Sequence, residues 1–205
     1  MDINNNYDMY KYFIKTYIKR EGVNEFLEWL DKSDAKIAPC STKFHLSCEG
    51  GFIQHSLNVF SRLIKLCQNE YGDNCPYTQE QIALVSLLHD ISKVNFYKFT
   101  TKNVKNEETN QWEKVPFIIV RDSSERFIYG THSDNSLYIT RSFFKLNYEE
   151  DIAIRYHMGM AEECNNNADV YNAHRASDLA FLLHTADAFA TVLDEANDGN
   201  IEKGA

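Results

Sequence analysis

Apolar positions between Tyr7 and Asp31 recur at helical spacing: Phe13, Ile14, Tyr17 and Ile18, then Val23, Phe26, Leu27 and Leu30. Gly22 separates the two groups, so the pattern predicts a pair of helices. Ile37 to Gly51 reads as a loop punctuated by Pro39 and Gly50-Gly51, and a helix follows from Phe52 to about Tyr71. On that helix His55 shares a face with Val59, Arg62, Leu63 and Leu66, which points it inward. Thr78-x-x-Gln81 has the form of a capping box and predicts a helix from Gln79 to Asp90. Its run Ala83 to Leu88 is apolar at almost every position, and Ile82, Val85 and His89 fall on one face.

The pattern then changes. Phe96, Tyr97, Phe99, Thr100 and Thr101 precede a polar stretch, Lys105 to Asn110, and Trp112, Val115 and Phe117 to Val120 follow it. This predicts a β-hairpin at about 95–120, set beside the His89-Asp90 pair from which it departs. Gly130 to Asp134 opens a helix over Asn135 to Leu146, with His132 at its N-terminal end. Asn147-x-x-Glu150 resembles a second capping box, and the helix it starts runs through Ile152, Ala153 and Tyr156 to His157, before Gly159. The Asn-rich stretch Ala161 to Asn172 reads as a loop. A last helix, about Ala173 to Asp194, places Asp187 on the face of Ala180, Leu183 and Ala190. The acidic stretch beginning at Glu195 carries two glycines and reads as a mobile tail. The expected organisation is a mainly α chain: a helical extension at 1–35 packed on a domain at 36–195, and a tail at 196–205.

Composition narrows the class. The 205 residues, 43% of them hydrophobic, suffice for one domain with a substantial core. Thirty Asp and Glu against 21 Lys and Arg give a net charge of −9, which disfavours broad attachment to nucleic acid or anionic membrane. A small anionic substrate or a short strand end remains compatible. Five cysteines without a CxxC suggest neither a disulfide framework nor a thiolate zinc site. Met1 to Asn6 has no signal-peptide character, and the longest apolar stretch, Leu179 to Leu193, is too short to span a bilayer. The expectation is a cytoplasmic protein with reduced thiols and no membrane partner.

The chemistry centres on His89-Asp90. A carboxylate and an imidazole at the end of so apolar a helix need partners, and a divalent metal accepts both. His55, His132, His157 and Asp187 each occupy a helix face or end that can add to the pair. Taken singly, His55 is equally a buried histidine bonded to a carbonyl, and His132 is more readily a loop or cap residue than a ligand. Together the six exceed what one metal needs. Two metals sharing Asp90 would use them all, clamping a phosphoryl oxygen and activating a water for in-line attack.

The ordered set His55, His89-Asp90, Asp187 resembles the HD-domain superfamily of metal-dependent phosphohydrolases, over roughly Ala38 to Glu195. His132 and His157 resemble its binuclear branch, and Phe44-His45 with Gly50 to Leu57 is similar to the entry helix of HD-type 3′-to-5′ exoribonucleases and small phage-encoded HD hydrolases. The resemblance implies an HD-domain helical bundle with a small β-hairpin insertion. It also implies that His55, His89, Asp90 and Asp187 hold a first metal, with Asp90 bridging to a second held by His132 and His157. Lys93 matches a lysine that would contact a substrate phosphate; its other reading is a solvated charge at a helix end. His45 matches a loop histidine near the cleft, and His184 sits behind Asp187.

Ser92, Thr131 and Ser133 stand where relatives usually carry Gly, a departure that bears on the geometry at His89-Asp90 and His132. The implied cofactors are two divalent transition metals (Mn, Fe, Co, Ni or Zn, with Mg also open). The implied substrate is a nucleotide or the end of a short single-stranded nucleic acid. Homo-oligomer formation is left open. A di-iron HD oxygenase and a non-catalytic metal-dependent nucleotide-binding module are the alternative readings.

Overall fold

The computed structural model describes residues 1–162 and 165–195. Eight α-helices are found among them: α1 Ile3–Tyr17, α2 Val23–Lys32, α3 Gly51–Tyr71, α4 Gln79–Leu88, α5 His132–Phe143, α6 Tyr148–Tyr156, α7 Asn167–Ala176 and α8 Asp178–Phe189. Strands β1 Tyr97–Lys105 and β2 Trp112–Val120 form one antiparallel hairpin, with Tyr97 opposite Val120 and Lys105 opposite Trp112. The chain is therefore mainly helical with a small hairpin, as the hydrophobic pattern predicts.

α4 is the centre of the bundle. Every residue from Ile82 to Leu88 is buried, and α1, α3 and α6 pack around it. Both predicted capping boxes form, at Thr78 and at Asn147, so each helix start has its exposed N–H groups satisfied locally. α1 belongs to the same core: Tyr10 is fully buried and its hydroxyl donates to the Leu87 carbonyl at 2.7 Å, at the end of α4. α2 starts at Gly22, whose φ of +101° suits glycine and whose missing side chain lets the Phe143 carbonyl approach. Gly51, at the start of α3, packs on the Leu46 carbonyl with no room for a Cβ, which draws the loop carrying Cys40 and His45 against the helix that carries His55.

Two expectations are corrected. The predicted helix from Ala173 to Asp194 is two helices and a final wide turn. Ser177 interrupts it with extended backbone and caps α8 through its hydroxyl, an interruption that a residue of neutral helix propensity does not announce. The predicted loop Ala161 to Asn172 contains the start of α7, which Asn166 caps by accepting the Asp169 N–H. The smaller shifts concern α4, which ends at Leu88 rather than Asp90, and α5, which runs from His132 to Phe143 rather than from Asn135 to Leu146. Glu195 is buried against α3 and not the head of an exposed tail. The tail at 196–205 lies outside the described residues. Among the described residues no single helix is long and apolar enough to cross a membrane, and no disulfide joins Cys40, Cys48, Cys67 and Cys75.

Candidate metal centre

The bundle brings all six predicted ligands to one place. His55 comes from the first turns of α3, His89 and Asp90 follow the end of α4, and His132 is the first residue of α5. His157 closes α6 and Asp187 lies on α8. Their donor atoms form overlapping triads, each within 4.8 Å: His55, His89 and Asp90; His89, His157 and Asp187; Asp90, His132 and His157. His55 Nε2 lies 3.2 Å from His89 Nε2 and 3.2 Å from Asp187 Oδ1.

Asp90 divides the cluster. Its Oδ1 contacts His132 Nε2 and lies 3.3 Å from His157 Nε2. Its Oδ2 faces His55 Nε2 at 3.5 Å and His89 Nε2 at 3.7 Å, and meets the Lys93 ammonium at 2.6 Å. Burial alone would raise this carboxyl, but Lys93, His89 and His132 outweigh it and hold it well below the carboxylate range. Burial likewise opposes ionisation of Asp187, and His55 and His89 override it.

The imidazoles are turned to the centre by their other nitrogens. His89 and His157 each direct Nδ1 at a carbonyl three residues earlier, Ser86 at 2.8 Å and Ile154 at 2.7 Å, which makes Nδ1 the donor and turns Nε2 to the centre. Burial pulls His89 down to about 3, so it stays neutral as a ligand must. Burial works against a charge on His55 too, but Cys40, Asp187 and Glu195 outweigh it and hold the ring well above its usual range. His157 is raised by Asp90 against its burial. Its Nε2 is buried and makes no aligned hydrogen bond among the described residues, with Asp90 Oδ1 at 3.3 Å. A buried imidazole nitrogen among carboxylates and further imidazoles is a donor set that a divalent transition metal fits.

Ser92 and Ser133 have structural roles. Ser92 Oγ lies 2.9 Å from His132 Nδ1 and receives the Ser136 hydroxyl at 2.9 Å. Ser133 and His132 direct their backbone N–H groups at the Glu162 carboxylate, which also takes the Ser133 hydroxyl. Thr131 caps α5 in a capping box with Asp134. Lys93 is buried rather than solvated, on a 3-10 turn at Ile91–Lys93. His184 supports the centre from behind, with Nδ1 2.7 Å from the His157 carbonyl.

Sequence reasoning missed two residues. Cys40 Sγ lies 3.1 Å from Lys93 Nζ and 3.1 Å from His45 Nε2, and Cys40, His45 and His55 form another group able to hold a metal. No spacing in the chain signals this thiol. Glu195 places its carboxylate 2.9 Å from His55 Nδ1.

A cleft of about 400 Å³ opens over the centre, lined by Phe44, His45, Lys93, Phe96, Tyr97, His132 and Met158 among others. Tyr97 begins β1, so the base of the hairpin forms part of the cleft wall. Residues 52–192 match the family model of the HD domain. No curated protein and no solved structure matches the chain.

Proposed function

The chain belongs to the HD domain family, and from that premise we propose that it is a two-metal phosphohydrolase acting on a nucleotide or the end of a short oligonucleotide. The observation that carries this reading is the division of Asp90, whose two oxygens face two different histidine pairs. A carboxylate so placed suits a bridge, with His55, His89 and Asp187 around one ion and His132 and His157 around the other. Divalent cations held there would supply the chemistry that polarises a phosphoryl oxygen and acidifies a water.

The chain's own groups supply the rest. Lys93 Nζ, at the cleft floor beside Asp90, is placed to meet a non-bridging phosphate oxygen once divalent charge takes over the neutralisation of Asp90. Phe44, Phe96 and Tyr97 give the cleft an aromatic lining suited to contact with a base, and a volume of about 400 Å³ suits a ligand of nucleotide size. His45 is kept neutral by burial, its pKa lowered to about 4, so it presents a hydrogen-bonding ring to the cleft without adding charge.

The test is a turnover screen of nucleoside mono- and triphosphates, cyclic dinucleotides and short single strands with Mn²⁺, Co²⁺, Ni²⁺ and Mg²⁺. Metal-dependent release of phosphate or of a nucleotide supports the reading. Oxygen consumption and visible absorption by the iron-loaded protein, with no phosphoester cleaved, would replace it with the oxygenase reading. Tight ligand binding without turnover under every metal would leave a binding module.

A further inference from the structure

Each of the four imidazoles facing the centre has its Nδ1 held, but not by equal partners. His89 and His157 use neutral carbonyls of their own helices, and His132 uses the Ser92 hydroxyl. His55 alone has a carboxylate, with Glu195 Oε1 at 2.9 Å and Oε2 at 3.2 Å from Nδ1.

The Glu195 carboxylate is held in place. Asn58, one turn along α3 from His55, donates its amide to Oε1 at 3.0 Å, and Glu195 is only 2% exposed. The chain reaches this point through a π-helical turn, Ala190–Asp194, which the Glu195 N–H closes on the Ala190 carbonyl at 3.1 Å. Such widened turns are rare and recur at functional sites, because they re-aim the residues that follow. Here the turn after α8 brings Glu195 back onto His55 of α3.

A hydrogen bond to an ionised acceptor is roughly twice as strong as one to a neutral acceptor, and in a buried site it both fixes the ring and makes its second nitrogen a better donor. We propose that Glu195 is the positioning residue for His55 and that it makes the two metal positions unequal: the ion held through His55 binds tightly, while the ion held through His132 is the exchangeable one. The weaker position follows from His132 itself, whose support is a neutral hydroxyl and whose side chain is 28% exposed at the cleft. This inference rests on the two-metal reading.

The test is a titration of the metal-free protein with Mn²⁺ or Co²⁺, followed by calorimetry and, for Co²⁺, by visible absorption. Wild type should bind two ions in separable steps. Glu195→Gln, which keeps size and an acceptor but removes the charge, should weaken the tighter step by about 10- to 100-fold and leave the other within a few-fold. Ser92→Ala should do the reverse. Unchanged constants in Glu195→Gln, or equal loosening of both steps, would overturn the inference, the second outcome marking Glu195 as merely structural. Should wild type bind a single ion, the two-metal reading fails by itself. Loosening of that one ion in Glu195→Gln would then still uphold the positioning of His55, and an unchanged constant would refute it.

Discussion

Ser92 Oγ and His132 Nδ1 lie 2.9 Å apart, and this contact joins the turn after His89-Asp90 to the histidine on the other side of Asp90. Ser92 also pairs with Ser136 of α5, receiving its hydroxyl at 2.9 Å and giving its own N–H to Ser136 Oγ at 3.2 Å. The turn after His89-Asp90 is thereby tied to the helix that His132 begins.

Ser92→Gly should therefore free the His132 ring without emptying the centre. Affinity for one of two ions should fall by about tenfold, as expected for loss of an outer partner of a ligand. Metal titration reads the change, and two unaltered constants would assign Ser92 to packing.

Asp90→Asn keeps the shape of the side chain but removes the charge between the two histidine pairs. Metal stoichiometry should drop from two and hydrolysis should fall to near background. The fold should survive, because Ala83, Leu84, Val85, Leu87 and Leu88 remain buried on α4. Retention of both metals and of wild-type turnover would make the pair a structural helix end.

Lys93→Met bears on the ammonium that holds Asp90 in the metal-free protein, 2.6 Å from Oδ2. Its removal takes the ammonium from a buried carboxylate and leaves it only its histidine contacts, so metal-free stability should fall by about 3 kcal/mol. Divalent ions should restore more stability to this variant than to wild type, since a competing cation is gone. Turnover should drop through a higher KM if Lys93 meets the phosphate. Denaturant unfolding with and without metal separates the two effects, and equal metal stabilisation of both proteins would contradict the competition.

The helices and the side chains that meet around Asp90 were legible because their signals are local. Thr78 with Gln81 and Asn147 with Glu150 mark helix starts within four residues, and His55 and His89 lie on faces set by helical periodicity. Glu195 was not legible, because its role depends on the chain returning to α3 through a widened turn, and an acidic residue before glycines looks solvated. Cys40 was hidden for a similar reason: its partners, Lys93 and His45, reach it only when the loop closes on Gly51. The break at Ser177 was missed because serine is indifferent inside a helix and favoured at its start, so composition alone does not choose.

Metal affinity should rise with pH. His55 is held above its ordinary value of 6.5, so the charged ring stabilises the metal-free fold fully below that value, and the contribution is lost as pH rises through the folded-state value. A metal at Nε2 displaces the same proton. Uptake just above pH 6.5 should therefore release protons from His55 and His157, both raised, and none from His89, neutral down to about 3. Calorimetry in buffers of different ionisation enthalpy measures the release. A pH-independent affinity with no proton released would contradict the charge on His55.

The hairpin distinguishes a small substrate from a long one. Its base is fixed to the body: the Arg121 N–H donates to the Phe96 carbonyl at 2.9 Å, and the Arg121 guanidinium pairs with Asp34 at 2.9 Å. Its tip is a built turn, in which Asn106 Oδ1 receives the N–H groups of Glu108 and Thr109 and Asn110 takes a positive φ. Two nine-residue strands carry that tip roughly 30 Å from Tyr97 at the cleft. A mononucleotide bound over Asp90 cannot reach so far. Trp112→Ser combined with Lys105→Ser should thus leave metal content and mononucleotide kinetics unchanged while raising KM for single strands of several nucleotides. Trp112, 71% exposed beside the tip, and Lys105 opposite it supply the ring and charge that a strand would contact there. If KM is unchanged for every length of substrate, the arm does not contact the strand; a change in oligomeric state in the same variant would then assign it to contact between copies of the chain.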